Sequence, residues 1–271
     1  DQGGQRVSDG SDLTAVAGLK NKRALVTGAG GAIGSAITTL FVAAGARVVA
    51  IDRNAESLAG LIDSFGDQII PVTADVAEPT DMETATNAAV TAWGGLDVAV
   101  LCAGIEGTVA EIVDADVADF DRVMAVNVRG VWLGLKYAVG AMKKNGMAGG
   151  SIVALSSNAG MAGAAKASIY SASKHAVIGL VRSIAAEVGR DNIRINAVCP
   201  APIEGRMIQS LERGFSSGRP DKIRQALESK IPLGRYGLPE EVASMVGFLA
   251  SDQSGFCTGG VYPVDGGKTA I

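Results

Sequence analysis

Arg23-Ala24-Leu25-Val26-Thr27-Gly28-Ala29-Gly30-Gly31-Ala32-Ile33-Gly34 is the stretch on which the fold turns. Its first half is a short apolar run suited to a strand, its second half is a glycine-rich bend, and residues 33–45 continue with helical spacing. A strand that passes into a helix through glycines leaves backbone N–H groups facing outward at the helix start, beyond the strand's carboxyl end. The wider window Ala24–Ala46 carries no charge over 23 residues, long enough to cross a bilayer. Five glycines, with Thr27, Ser35, Thr38 and Thr39, divide it instead into strand, turn and helix, which argues against a membrane span.

The same alternation runs outward along the chain. Strands are predicted at Arg23–Thr27, Arg47–Ile51, Ile69–Thr73, Asp97–Cys102, Ser151–Ser156, Arg194–Val198 and Val261–Val264, with helices near 33–45, 54–65, 79–93, 119–144, 169–190 and 239–250. Seven strands alternating with helices predict right-handed crossovers and an α/β fold: a doubly wound, Rossmann-like parallel seven-stranded sheet with helices on both faces. Aromatics make up 4% of the 271 residues while glycine supplies 36, so the core is built from Ala, Val, Ile and Leu, as buried parallel sheets are. Residues 19–271 read as one domain after a flexible tail at 1–18. The polar segment 205–230 interrupts the rhythm just beyond a strand end, where an insertion serves as a substrate lid.

Composition excludes several classes. Lys plus Arg total 24 against 28 Asp plus Glu, a net charge of −4, which opposes a basic nucleic-acid face. Cys102, Cys199 and Cys257 are too few and too scattered for a disulfide framework or a zinc site; they read as buried thiols in a reducing cytoplasm. No cluster of acidic residues and histidine suggests a metal, and no basic-then-apolar leader opens the chain.

The bend at Gly28–Gly34 has the shape needed for the pyrophosphate of a dinucleotide: glycines allow close backbone approach, and the helix start meets the negative charge. Asp52 ends the second strand, where a carboxylate accepts hydrogen bonds from a ribose 2′,3′-diol and repels a 2′-phosphate, so NAD is favoured over NADP. Arg53 beside it is the residue that would argue the other way. Asp75-Val76 follows the third strand, where the carboxylate either meets an adenine amino group or serves the start of the next helix. Small residues at Cys102-Ala103-Gly104 close the fourth strand where a cofactor passes. Tyr170 and Lys174, four apart on one helix, set an ammonium one turn from a phenol whose ordinary pKa is about 10, and are expected to lower it toward the range of a useful base. Ser157 lies just beyond the fifth strand at the same sheet edge, placed to bind a substrate oxygen. Asn127, an indifferent helix former inside the 119–144 pattern, is expected to hold a kink and bind a water near the lysine. His175, next to Lys174, faces away from Tyr170 and is read as packing. The stripe Val177, Leu180, Val181, Ile184 and Val188 is core.

These motifs, from Thr27-Gly28 through Tyr170-Ser171-Ala172-Ser173-Lys174 to Cys199-Pro200 and the closing Asp265-Gly266-Gly267, resemble the single-domain short-chain dehydrogenase/reductases, and the likeness runs from Leu19 to Ile271. The resemblance implies a catalytic tetrad of Asn127, Ser157, Tyr170 and Lys174, with Tyr170 as acid/base, Ser157 orienting substrate, Lys174 binding the nicotinamide ribose and Asn127 holding a proton-relay water. It implies NAD contacts at Gly28, Gly31, Ile33, Asp52, Asp75, Val76, Ala103, Gly104, Tyr170, Lys174, Pro200 and Ile203. It also implies a homotetramer. The chain departs from the family pattern at Ala32 and Ala201, where glycine is usual, at Leu101 and Cys102, where asparagines are common, and at Gly205, where a threonine often meets the nicotinamide amide.

The leading expectation is hydride transfer between NAD and a secondary alcohol or ketone, cyclic or hydrophobic, in a pocket lined by Ser157, Met161, Met207 and Leu211 with Glu106 and Glu204 at its mouth. The partner is thus a small molecule, with neither nucleic acid nor membrane involved. The alternatives are an NADPH-linked 3-oxoacyl-thioester reductase and a dinucleotide-binding scaffold without catalysis.

Overall fold

Strand β1 (Arg23–Thr27) runs into helix α1 (Ala32–Ala43) through the glycine bend, in a computed structural model that describes residues 18–145, 149–216 and 218–270. The tail expected at 1–18 lies, apart from Gly18, outside the described residues. The chain continues through β2 (Arg47–Asp52), α2 (Ala59–Phe65), β3 (Ile69–Thr73), α3 (Pro79–Trp93), β4 (Val98–Leu101), α4 (Val117–Met124), α5 (Gly130–Lys143), β5 (Gly150–Leu155), α6 (Ser168–Val188), β6 (Ile193–Pro200), α7 (Arg206–Phe215), α8 (Pro220–Glu228), α9 (Pro239–Ala250) and β7 (Val261–Val264).

The seven strands form one parallel sheet in the order β3-β2-β1-β4-β5-β6-β7, so the winding reverses between β1 and β4. Alternate side chains go to opposite faces. Val26, Val48, Val100, Val153 and Val198 pack under α1 and α9, against Ile37, Phe41, Val246 and Leu249. Leu25, Val49, Ala99, Ile152 and Ile195 pack on the other face against Leu135, Met142, Val177 and Val181 of α5 and α6. Burial on both faces is why the strands read as apolar runs. The expected stripe on α6 is core throughout: Val177, Val181 and Val188 are buried, with Leu180 and Ile184 packed against them.

Local chemistry sets the boundaries. α3 starts with Pro79 in its first turn and stops at Gly94, which takes φ +77° in the left-handed region. α9 starts at Pro239, and Glu241 reaches back to Leu238 N at 2.7 Å. β4 is shorter than the expected Asp97–Cys102. Asp97 stands just before it, its carboxylate accepting from Arg23 Nε and Nη2 at 2.8 and 2.6 Å. Cys102 N and Ala103 N donate to the Thr27 hydroxyl at 3.0 and 3.1 Å rather than continuing the ladder. The 119–144 pattern is helical from Val117 to Lys143, and the kink expected at Asn127 is a π turn, Ala125–Arg129, between α4 and α5. One further expectation is corrected: of the three thiols only Cys199 is buried, Cys102 and Cys257 being half-buried; all three are free.

Among the described residues no helix is long and apolar enough to cross a membrane.

The Arg23–Asp97 pair ties the start of β1 to the start of β4 with both side chains mostly buried. Asp97→Ala strands the guanidinium and costs about 2 kcal/mol in urea unfolding at pH 7. Arg23 holds the Asp97 carboxyl below the usual carboxylate range. A depressed folded-state pKa stabilises above the unfolded value and fades as pH falls through the folded one. The gap between wild type and variant therefore closes below about pH 4, as unfolding midpoints measured across acid pH will show.

Candidate active site

The glycine bend is built by close approach. Gly28 has φ +66°, and a Cβ there would stand 2.8 Å from the Ala103 Cα. A Cβ on Gly34 would stand 2.1 Å from Gly28 O, inside any contact distance. Gly31 is exposed, and as the residue preceding α1 it provides no side-chain cap, so the first N–H groups of the helix face an open cradle. Asp52 is held at the rim: Oδ2 accepts from Gly30 N at 3.1 Å and Oδ1 from Asn54 N at 3.0 Å. Beside it a cavity of about 410 Å³ is lined by Arg53, Thr73, Ala74, Asp75 and Asp81. Asp75 accepts from Ala77 N at 2.9 Å and thereby shapes the loop before α3, while Glu78 is the residue that precedes the helix. Ile33 is partly buried against the core under the turn, Val76 is buried, and Ala103 and Gly104 are half-buried along the edge. This cradle, with a carboxylate at one end and a cavity beyond it, fits a dinucleotide.

At the other end of the crevice, α6 begins with Tyr170 and Lys174. Lys174 is 4% exposed, donates to Leu155 O at 2.8 Å, and its ammonium lies 5.7 Å from the centre of the Tyr170 ring. Gly104 flanks it; a Cβ there would stand 3.3 Å from the ammonium and from Asn127 Oδ1. Burial drives the Lys174 pKa down to about 8. Burial also drives Tyr170 up to about 12, with the adjacent Ser157 hydroxyl pulling the other way and Glu106 adding to the rise. The expected lowering of the phenol is therefore absent in the protein alone, because desolvation dominates its surroundings. Ser157 Oγ accepts from Ala159 N at 3.1 Å, which turns it toward this space at the end of β5.

Asn127 sits in the π turn and is fully buried. Its Oδ1 accepts from Ile105 N at 2.8 Å, and its Nδ2 donates to Ile105 O at 2.9 Å and Ser173 Oγ at 3.0 Å. Both amide hydrogens are thus spent on bracing α6 and the loop after β4. Ser173, inside the Tyr170–Lys174 motif, and Leu155 O are the site groups that sequence reasoning missed; a serine in a quoted motif was a usable signal, a backbone carbonyl was none. His175 is exposed and points its Nδ1 at Ser171 O, away from the site as expected.

The 205–230 segment forms α7 and α8. Met161 and Met207 are each 38% exposed, but Leu211 packs into a separate apolar cluster with Ile208, Ile231 and Tyr236. Its spacing on an amphipathic helix gave no way to tell lid core from pocket lining. Ile203 and Pro200 are buried at the end of β6. The departures at Ala32 and Gly205 meet in space: Gly205 has φ +144°, and a Cβ there would stand 3.0 Å from the Ala32 methyl. A threonine at 205 is disfavoured both by backbone conformation and by the alanine facing it.

This arrangement defines a nucleotide-dependent oxidoreductase site, and the comparisons agree. Residues 28–269 match the family model described as Enoyl-(Acyl carrier protein) reductase. The chain is 38% identical to the 3-oxoacyl-(acyl-carrier-protein) reductase FabG of Thermotoga maritima, over 92% of this chain and 98% of that protein. It is 37% identical to cyclohexanol dehydrogenase of an Acinetobacter species, over 93% and 96%. The crystal structure of levodione reductase superposes with a TM-score of 0.89 at 32% identity, over 93% of this chain and 99% of that one. The chain belongs to the short-chain dehydrogenase/reductase family, whose members use a nicotinamide dinucleotide, and it is an oxidoreductase.

Asn127→Ala leaves Ile105 N, Ile105 O and Ser173 Oγ without their partner in a buried place. It should cost about 3 kcal/mol in denaturant unfolding, against well under 1 kcal/mol for alanine at exposed Asp121 on α4.

Proposed function

We propose that the protein transfers a hydride reversibly between NAD and a secondary alcohol or its ketone, a cyclic or otherwise hydrophobic one. The observation that carries this is Lys174, a buried ammonium whose one hydrogen bond among the described residues goes to Leu155 O, set beside the half-buried Tyr170 phenol. A buried cation without a carboxylate is costly and marks a working site.

A bound nicotinamide dinucleotide supplies the hydride acceptor or donor. Tyr170 takes the hydroxyl proton from the alcohol and returns it to the ketone oxygen. Ser157 hydrogen-bonds that same oxygen and sets its distance from the phenol. Lys174 binds the nicotinamide ribose and holds the phenolate form of Tyr170; positive charge brought by the oxidised cofactor reinforces it, against the desolvation that keeps the free phenol at about 12. Asn127 acts as brace, and any proton-relay water uses its remaining acceptor capacity or its backbone. Asp52 accepts the adenosine ribose hydroxyls and disfavours a 2′-phosphate, which supports NAD. Met161 and Met207 supply flexible apolar surface, and the names of two relatives, cyclohexanol dehydrogenase and levodione reductase, support a cyclic substrate.

Residues 19–271 act as one catalytic domain, with 205–230 as lid. Exposed Ile112, Val113, Val117 and Phe120 around the start of α4, with Trp132 on α5, support subunit contacts and a homotetramer; light scattering of a stable monomer at micromolar concentration removes that assignment. Three free thiols support a cytoplasmic setting.

One observation favours a second reading. Arg53 lines the cavity beside Asp52, within the region where a 2′-phosphate would lie, and the family description and the name of the Thermotoga relative, both reductases of acyl-carrier-protein substrates, support the 3-oxoacyl-thioester alternative. Parallel calorimetric titrations decide: NADH binds at least tenfold more tightly than NADPH, and the reverse order moves the thioester reductase to the front. Tyr170→Phe lowers turnover in an NADH absorbance assay by a factor of about 1,000 or more while NADH binding stays within about twofold. Retained turnover removes Tyr170 from the mechanism.

A further inference from the structure

One guanidinium fastens the lid. Arg224 on α8 forks onto Glu204, with Nη2 on Oε1 and Nη1 3.2 Å from Oε2, and gives its Nε to Glu228 at 2.9 Å. Its guanidinium carbon lies 4.6 Å from the centre of the Tyr236 ring. Tyr236 is almost wholly buried and donates its hydroxyl to the buried Glu212 of α7 at 2.9 Å. A single side chain therefore joins α8 to the segment after β6 and, through Tyr236, to α7 and to the loop before α9.

What Glu204 adjoins gives this joint a consequence. Glu204 N donates to Gly237 O at 2.9 Å, and Ile203 pairs with Gly237, so the backbone just before Gly205 is pinned from one side by the α9 loop and from the other by Arg224. Gly205 then turns through φ +144° and arrives against Ala32, the first residue of α1 and part of the phosphate turn. The path from Arg224 to the cradle is three residues long: Glu204, Gly205, Ala32. A planar fork stacked on an aromatic ring and paired with two carboxylates holds a defined orientation, which a lysine point charge does not reproduce.

We propose that Arg224 is a positioning residue of the dinucleotide site, acting through Glu204 to keep Gly205 seated against Ala32 and so to set the wall that the lid presents to the bound nucleotide. The proposal rests on the reading of Gly28–Gly34 as a dinucleotide cradle. Arg224 touches no reacting atom.

The test is NADH binding, read by fluorescence titration, together with hydrogen–deuterium exchange of residues 206–228 in the absence of nucleotide. Arg224→Gln raises the NADH Kd about fivefold to tenfold and speeds exchange in α7 and α8, while exchange in β1 and β5 stays as in wild type. Glu204→Gln acts in the same direction, and the double variant is no worse than Arg224→Gln alone, because the Glu204 fork is already lost once Arg224 is gone. Arg224→Lys restores only part of the affinity. Raising salt weakens NADH binding more in wild type than in Arg224→Gln, since the pair is partly exposed and screened. Wild-type affinity in both single variants, or additive losses in the double, overturns the proposal while leaving the cradle intact. Failure of wild type to bind NADH or NADPH removes the cradle reading and the proposal with it. Should Arg224→Gln fail to fold, Glu204→Gln decides alone, because Arg224 there keeps Glu228 and Tyr236.

Discussion

The Thr27 hydroxyl, accepting from Cys102 N and Ala103 N, holds together the point on which the site depends. β1 and β4 are sheet neighbours whose following helices lie on opposite faces, so their chains must part at the carboxyl edge. Parting strands lose their ladder and leave N–H groups to satisfy. One hydroxyl satisfies two of them, and Gly28 then packs so closely on Ala103 that no other residue fits. The crevice opened by this divergence brings together the glycine turn, the small-residue edge at Ala103-Gly104 and the start of α6.

At the far side of the crevice a second constraint operates, the satisfaction of buried polar groups. Lys174 leans on a backbone carbonyl, Ser156 Oγ donates to Lys174 O at 2.8 Å, and Asn127 clamps Ile105 while reaching Ser173. The clamp sits within the π turn, where the helix widens by one residue. Burial drives the Lys174 pKa down and the Tyr170 pKa up.

Ala32 and Gly205 are far apart in sequence and look like two unrelated losses at a cofactor site. In the folded chain they are one contact, in which a methyl on the phosphate turn stands where a side chain at 205 would lie. The 205–230 segment is held by its own apolar cluster and by Arg224 rather than by a side chain at 205.

Strands Arg23–Thr27, Ile69–Thr73 and Val261–Val264 and helices 79–93 and 239–250 were legible end to end, because proline, glycine and short apolar runs act locally. The positions of Asp52, Ser157, Tyr170 and Lys174 at the strand ends and on one helix face were legible for the same reason. What only the tertiary structure decided depends on residues brought together from distant parts of the chain. The pairing of Asn127 with Ile105 and Ser173 is tertiary, and the sign of the Tyr170 shift answers to burial that spacing does not encode. Leu211 belongs to the lid core, and Arg224 finds Glu204 twenty residues away. Local patterns determine which elements form and which edge carries the chemistry. Desolvation and polar satisfaction depend on what surrounds a side chain in space, and those surroundings exist only once the sheet has closed its neighbours around it.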